Sequence, residues 1–135
     1  MQVSSTTIAF TVDDLEASRD FFRDHFGYTV AMAADDFVSL TREDGAIDLV
    51  FHRTGLEVLP ENLRYRRASG AIVAFVVEDL EAEQDRLRAE GVEITLPLRV
   101  EPWGERLFMV ADPNGIPVEL LDWAGGAEEQ QAAQS

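Results

Sequence analysis

An α+β fold built from two tandem β-α-β-β-β modules is the architecture this chain predicts, and three observations predict it. First, Val73-Ala74-Phe75-Val76-Val77-Glu78-Asp79-Leu80-Glu81-Ala82 repeats Ile8-Ala9-Phe10-Thr11-Val12-Asp13-Asp14-Leu15-Glu16-Ala17 at an offset of 65 residues. Second, each copy passes from an apolar, β-favouring run through acidic residues into a helical apolar pattern that stops at a glycine, Gly27 or Gly91. Third, the closing runs correspond in pairs, Phe37–Arg42 with Arg106–Val110 and Ala46–His52 with Val118–Asp122.

Taken in order, Thr6–Val12 reads as the first strand. Asp13 with Glu16 has capping-box spacing, and Asp14 is a rival cap. From there to Phe26, Leu15, Phe22 and Phe26 share one helical face that Phe21 widens. Tyr28–Ala33, Phe37–Arg42 and Ala46–His52 read as strands, the last two parted by a Glu43-Asp44-Gly45 turn. Residues 53–70 show no period and carry Arg64-Tyr65-Arg66-Arg67, so they read as a connection long enough to suggest a task such as covering a pocket. The second helix runs to Glu90 with Leu80 and Leu87 inward, and Val92–Leu96 matches Tyr28–Ala33. The ordered chain is expected to end near 123, as one domain with modules at about 5–52 and 71–123. Residues 124–135 have no apolar face and read as a flexible tail.

The totals narrow the function classes. With 135 residues, 46% apolar content and eight Phe, the chain has the means for a real core. It has no cysteine, which removes disulfides, thiolate chemistry and cysteine-held metals. No apolar run nears the roughly 18 residues of a membrane span, and no leader pattern opens the chain, so a cytoplasmic location is expected. The net charge is −15 and all eleven basic residues are Arg. Such acidity opposes nucleic acid and anionic membrane as partners, suits a cationic one, and otherwise serves solubility. There is no Ser-His-Asp spacing, phosphate-binding glycine loop or nucleotide fingerprint.

The stretch Trp103–Trp123 holds two strand-like runs, Leu107–Val110 and Val118–Leu121, around the turn residues Asp112-Pro113-Asn114-Gly115. One carboxylate, Glu119, sits among apolar neighbours. Together with the repeat, Trp103-Gly104-Glu105-Arg106, Asp112-Pro113-Asn114-Gly115 and Val118-Glu119-Leu120 resemble the vicinal oxygen chelate superfamily, the glyoxalase, bleomycin-resistance and extradiol dioxygenase group. The closing motifs are most like its bleomycin-resistance-like branch. The resemblance covers residues 5–123. It implies that each module curls into a half-barrel sheet with its helix outside, that paired halves enclose a cleft, and that the protein is a homodimer.

In metal-dependent members of that superfamily, four strand positions facing the cleft bear His, Glu or Gln. The matching positions here are Thr7, Ile72, Asp48 and Glu119. Alternation independently puts Thr7, Ala9 and Thr11, then Asp48, Val50 and His52, then Ile72, Ala74 and Val76, and then Glu119 and Leu121, on the face away from the helices. Ile72 has no donor atom, and two carboxylates with a hydroxyl suit neither zinc, iron nor nickel. Mg²⁺ or Mn²⁺ on Asp48 and Glu119 is conceivable. His52 lies roughly 13 Å beyond Asp48 along an extended strand, too far to share an ion without distortion. Asp48 and Glu119 are candidates for a general acid and base, for solvated remnants of an ancestral site, or for attraction of a cation. Trp103 offers a stacking platform or a hydrophobic contact. Arg106, pointing with Phe108, pairs with Glu119, with a ligand carboxylate or at the surface. His25 near the helix end suits the dipole rather than chemistry.

The expected function is therefore a metal-free small-molecule binder without catalytic residues or cofactor. It sequesters an aromatic or cationic compound through Thr7, Asp48, Val50, His52, Ile72, Ala74, Trp103, Arg106, Phe108, Glu119 and Leu121. The alternatives are a divalent-metal glyoxalase- or dioxygenase-type enzyme using Asp48 and Glu119, and a regulatory or assembly domain with an unused cleft.

Overall fold

Each of the two long helices begins at the same kind of aspartate. In the computed structural model, which describes residues 1–123, the side chains of Asp14 and Asp79 accept the backbone N–H three residues on, from Ala17 and Ala82, each at 3.1 Å. This satisfies one of the orphan donors of a helix start. The rival cap wins over Asp13, whose carboxylate turns instead to Arg67 and Thr54. The expected tail, 124–135, lies outside the described residues.

Two compact units result. The first contains β1 (Thr7–Val12), α1 (Leu15–Phe26), β2 (Thr29–Ala33), β3 (Phe37–Thr41), β4 (Asp48–Arg53) and a short α2 (Glu61–Arg64), and residues 112–114 complete it. The second contains β5 (Val73–Val76), α3 (Leu80–Ala89), β6 (Leu96–Val100), β7 (Glu105–Ala111) and β8 (Pro117–Trp123). Each unit has one four-stranded sheet, in the orders β1-β4-β3-β2 and β5-β8-β7-β6. In both, the opening strand lies parallel to the closing strand, with Thr7 opposite Asp48 and Ala74 opposite Glu119, and the remaining pairs are antiparallel.

Alternation then assigns one face of each sheet to its helix. In unit 1, Phe10, Val12, Val38, Leu40, Leu49 and Phe51 are buried with Leu15, Phe22 and Phe26 of α1. Phe51 stacks on Phe22 at 5.5 Å and on Phe10 at 5.8 Å between ring centroids. Tyr28 closes this core; its hydroxyl donates to the Ile47 carbonyl at 3.0 Å, and burial pushes its pKa up to about 12. In unit 2 the buried set includes Val73, Leu80, Leu87, Phe108, Val110, Val118 and Leu120, and on the opposite face Leu107 and Leu121 are buried too. Gly27, at φ 69°, ends α1, and a Cβ there would meet the Arg42 guanidinium at 2.8 Å. That guanidinium also takes up the Phe26 carbonyl at the helix end.

The structure moves one expected strand. Val92–Leu96 is not β6, because Val92 still belongs to the helix end, its N–H donating to the Leu87 carbonyl at 2.9 Å. β6 is Leu96–Val100 and contains Pro97. Proline has no N–H for a ladder and is tolerated because β6 is an edge strand with a register break between Leu96 and Arg99. The connection 53–70 is fastened to unit 1 at both ends. Arg53 reaches Glu16 at 3.0 Å, Thr54 donates to the Val12 carbonyl, Arg67 pairs with Asp13, and the Ala68 N–H meets the Thr11 carbonyl at 2.8 Å.

Phe51→Ala removes a wholly buried ring that touches two others, so it is expected to cost about 3–5 kcal/mol of folding free energy, read as a lowered urea midpoint at unchanged slope.

Candidate functional site

Opposite the helices, each sheet has a second face, and most sequence-derived candidates lie there. Unit 1 presents Thr7, Ala9 and Thr11 beside Asp48, Val50 and His52, with Phe37, Ser39 and Thr41 of β3 completing the rows. Its polar groups are largely committed to one another. The Thr7 hydroxyl donates to the Asp48 carbonyl at 3.1 Å, and the Thr41 hydroxyl donates to Asp48 Oδ1 at 2.8 Å. His52 stands at the other end, 6.5 Å from the Phe37 ring centroid, and burial lowers its pKa, favouring neutral imidazole.

Unit 2 presents Ala74 and Val76 beside Glu119 and Leu121, then Met109 and Leu107, with Glu105 opposite Trp123 at the far end. Glu119 therefore has Ala74 on one side and Met109 on the other. At the 65-residue offset Ala74 matches Ala9, which lies opposite Val50. Glu119 thus stands where unit 1 has Val50, one row along from Asp48, and its β7 neighbour is a thioether where Asp48 has the Thr41 hydroxyl. Among the described residues nothing donates a hydrogen bond to Glu119. Desolvation by partial burial, helped by the like charge of Glu105, raises its pKa. Ile72 precedes β5, half exposed at 51%.

Three expected site residues fall elsewhere. Arg106 and Phe108 do share a face, but it is the one packed on α3. Arg106 lies opposite Asp122, three residues from Glu119 and so of opposite parity. It binds Asp122 through Nε at 2.8 Å and Nη2 at 2.6 Å, and also Glu81 of α3. Hydrogen bonds to these two carboxylates raise its pKa further. Phe108, at 0% exposure, is core. Trp103 sits at the tip of the β6–β7 hairpin, 54% exposed, where Pro102-Trp103-Gly104 forms a three-residue loop closed by the Glu101 and Glu105 backbones, with Gly104 at φ 95°. It lies beyond the Glu105–Trp123 pair, and that pair is roughly 13 Å along the strand from the Glu119 row. The aromatic on the face of Glu119 is Trp123. Parity with Glu119 was the available signal for it.

Two β-α-β-β-β units, each with its opening and closing strands parallel and a carboxylate on the closing strand, define the paired-module α+β class. The family model described as Glyoxalase/Bleomycin resistance protein/Dioxygenase superfamily matches residues 5–120, and the chain belongs to that superfamily. Among solved structures it is similar to a glyoxalase/bleomycin resistance protein/dioxygenase from Nocardioides, at 22% identity and TM-score 0.77 over 94% of this chain and 87% of that one. It is also similar to a lactoylglutathione lyase from Agrobacterium tumefaciens, at 19% identity and TM-score 0.73 over 93% and 98%. A third is a superfamily member from Sphaerobacter thermophilus, at 20% identity and TM-score 0.69 over 90% and 98%. A search of the curated proteins finds no match.

The four strand positions matched to the metal-bearing ones of the superfamily, Thr7, Asp48, Ile72 and Glu119, offer few donors. The Ile72 side chain has no donor atom, the Thr7 hydroxyl gives its hydrogen to the Asp48 carbonyl, and one Asp48 oxygen accepts from Thr41, which leaves a set without imidazole. Among the described residues no three His, Asp or Glu side chains are grouped to hold an ion. No helix among them is long and apolar enough to cross a membrane.

Because the folded pKa of Glu119 is raised above its ordinary value of 4.5, the folded chain holds that proton more tightly than the unfolded one. Its ionisation lowers stability as pH climbs from the unfolded toward the folded pKa. Glu119→Gln is expected to be more stable than wild type near neutrality, with the difference vanishing well below pH 4.5; urea titrations at the two pH values check this.

Proposed function

We propose that this protein is a metal-free binder of the bleomycin-resistance-like kind, which sequesters a small organic cation with an aromatic body without turning it over. The observation that carries the reading is Glu119, a partly buried carboxylate without a hydrogen-bond donor, flanked by Ala74, Met109 and Leu121. A carboxylate left in this state is costly, and a cation that brings its own apolar surface satisfies both the charge and the face around it. The net charge of −15 raises the local concentration of such a ligand and speeds its arrival. On this reading the ring of the ligand lies toward Trp123, and Trp103 contributes only to ligands long enough to reach the hairpin tip. The protein works in the cytoplasm as a homodimer, a state that sedimentation velocity checks directly.

An aromatic quaternary ammonium dye is the probe. Glu119→Gln is expected to weaken its binding about tenfold or more, equivalent to ~1.4 kcal/mol, and Trp123→Ala to weaken it more than Trp103→Ala. Affinity unchanged in Glu119→Gln would sink the proposal. Calorimetry with Mn²⁺, Ni²⁺ and Zn²⁺ is expected to show no tight stoichiometric uptake. Uptake that disappears in Glu119→Ala would instead favour a metal-dependent enzyme; the Agrobacterium neighbour is itself named a lactoylglutathione lyase.

A further inference from the structure

Residues 112–114, which complete unit 1, form a clasp on the start of α1. The Asn114 amide is held at both ends: its Oδ1 accepts the Asp14 N–H at 3.1 Å, and its Nδ2 donates to the Asp14 carbonyl at 2.7 Å and to the Ser18 hydroxyl at 2.7 Å. Ser18 is wholly buried and donates its own hydrogen to Asp112, itself only 4% exposed. The other Asp112 oxygen accepts the Asn114 backbone N–H at 3.0 Å. The next residue is Gly115, at φ 85°, whose backbone nitrogen has no side chain to shield it from the Asn114 side-chain carbonyl.

We infer that Asn114–Gly115 is a self-modification site, at which opening of the clasp sets the rate of a one-way conversion of Asn114 to aspartate or isoaspartate. Once base removes its proton, the Gly115 nitrogen forms a bond to Cγ of Asn114. The Cγ–Nδ2 bond breaks and the amide nitrogen leaves as ammonia. The cyclic imide then takes up one water. Attack at Cγ gives aspartate, and attack at the backbone carbonyl gives isoaspartate, with the chain running through Cγ. Water is the only co-reactant.

The clasp restrains the first step, because swinging the Asn114 amide toward Gly115 breaks its bonds to Asp14 and Ser18. It also makes the step one-way. A carboxylate at 114 has no hydrogen to give the Asp14 carbonyl, and the Ser18 hydrogen is already committed to Asp112. The new charge stands only one hydroxyl away from the Asp112 carboxylate, so of the clasp only the bond from the Asp14 N–H can re-form, and the N-terminal turn of α1 is loosened.

Full-length protein incubated in warm, mildly alkaline buffer and mapped by peptide mass spectrometry tests this. The expected result is a one-dalton gain at Asn114 that accumulates more slowly in native wild type than in the urea-unfolded chain. In Ser18→Ala the native rate is expected to rise about fivefold or more, as loss of the bond from the Asn114 amide to Ser18 allows. Asn114→Asp, made directly, should speed amide exchange across residues 14–18. Equal rates in folded wild type and folded Ser18→Ala would overturn the inference, as would no conversion in the unfolded chain or unchanged exchange in Asn114→Asp. If Ser18→Ala does not fold, equal rates in native and unfolded wild type overturn it.

Discussion

The structure depends on the parallel pairing of the opening and closing strands of each unit. Parallel neighbours cannot be joined by a tight turn, so a long crossover must separate them in the chain. Here α1 with β2 and β3, or α3 with β6 and β7, fills that crossover and also covers one face of the sheet it closes. The same pairing brings residues about forty positions apart into direct opposition, Thr7 with Asp48 and Ala74 with Glu119. The candidate site is therefore a by-product of closure: whatever stands on the free face of the first and last strands becomes neighbours.

Repetition makes the divergence of the two copies informative. Asp48 and Glu119 both stand on the free face of a closing strand, one row apart in the repeat, yet one is satisfied and the other is not. The difference comes from single cross-strand neighbours. Thr41 supplies a hydroxyl to Asp48, whereas Met109 offers Glu119 only a thioether. In one copy the carboxylate became part of the framework. In the other the carboxylate has no hydrogen-bond donor among the described residues, and partial burial beside Glu105 raises its pKa.

Much of this was legible in the sequence, and the exceptions have physical causes. The offset between repeats located both helices and their glycine stops, and alternation put Asp48 and Glu119 on the free faces, because both signals are local and periodic. The position of β6 was not legible, since the helix end uses Val92 and a proline-containing strand is acceptable only at an edge, a property of the assembled sheet. The choice of Asp14 over Asp13 turned on Arg67, distant in sequence. The direction of Arg106 does not follow from Phe108 alone. Parity with Asp122 and the proximity of Glu81 appear only once β7, β8 and α3 are set together.

The irregular outer strands have a consequence for how the protein behaves when concentrated. β2 and β6 each lie at the margin of a sheet and carry exposed apolar side chains, among them Val30, Met32 and Val100. An uninterrupted margin of that composition is a template on which foreign strands add and fibrils grow. Both ladders are broken, between Val30 and Met32 in one and between Leu96 and Arg99 in the other, where Pro97 also withholds an amide. Such breaks disturb the regular spacing an incoming strand would pair with, one of the ways by which apolar sheet margins resist added strands.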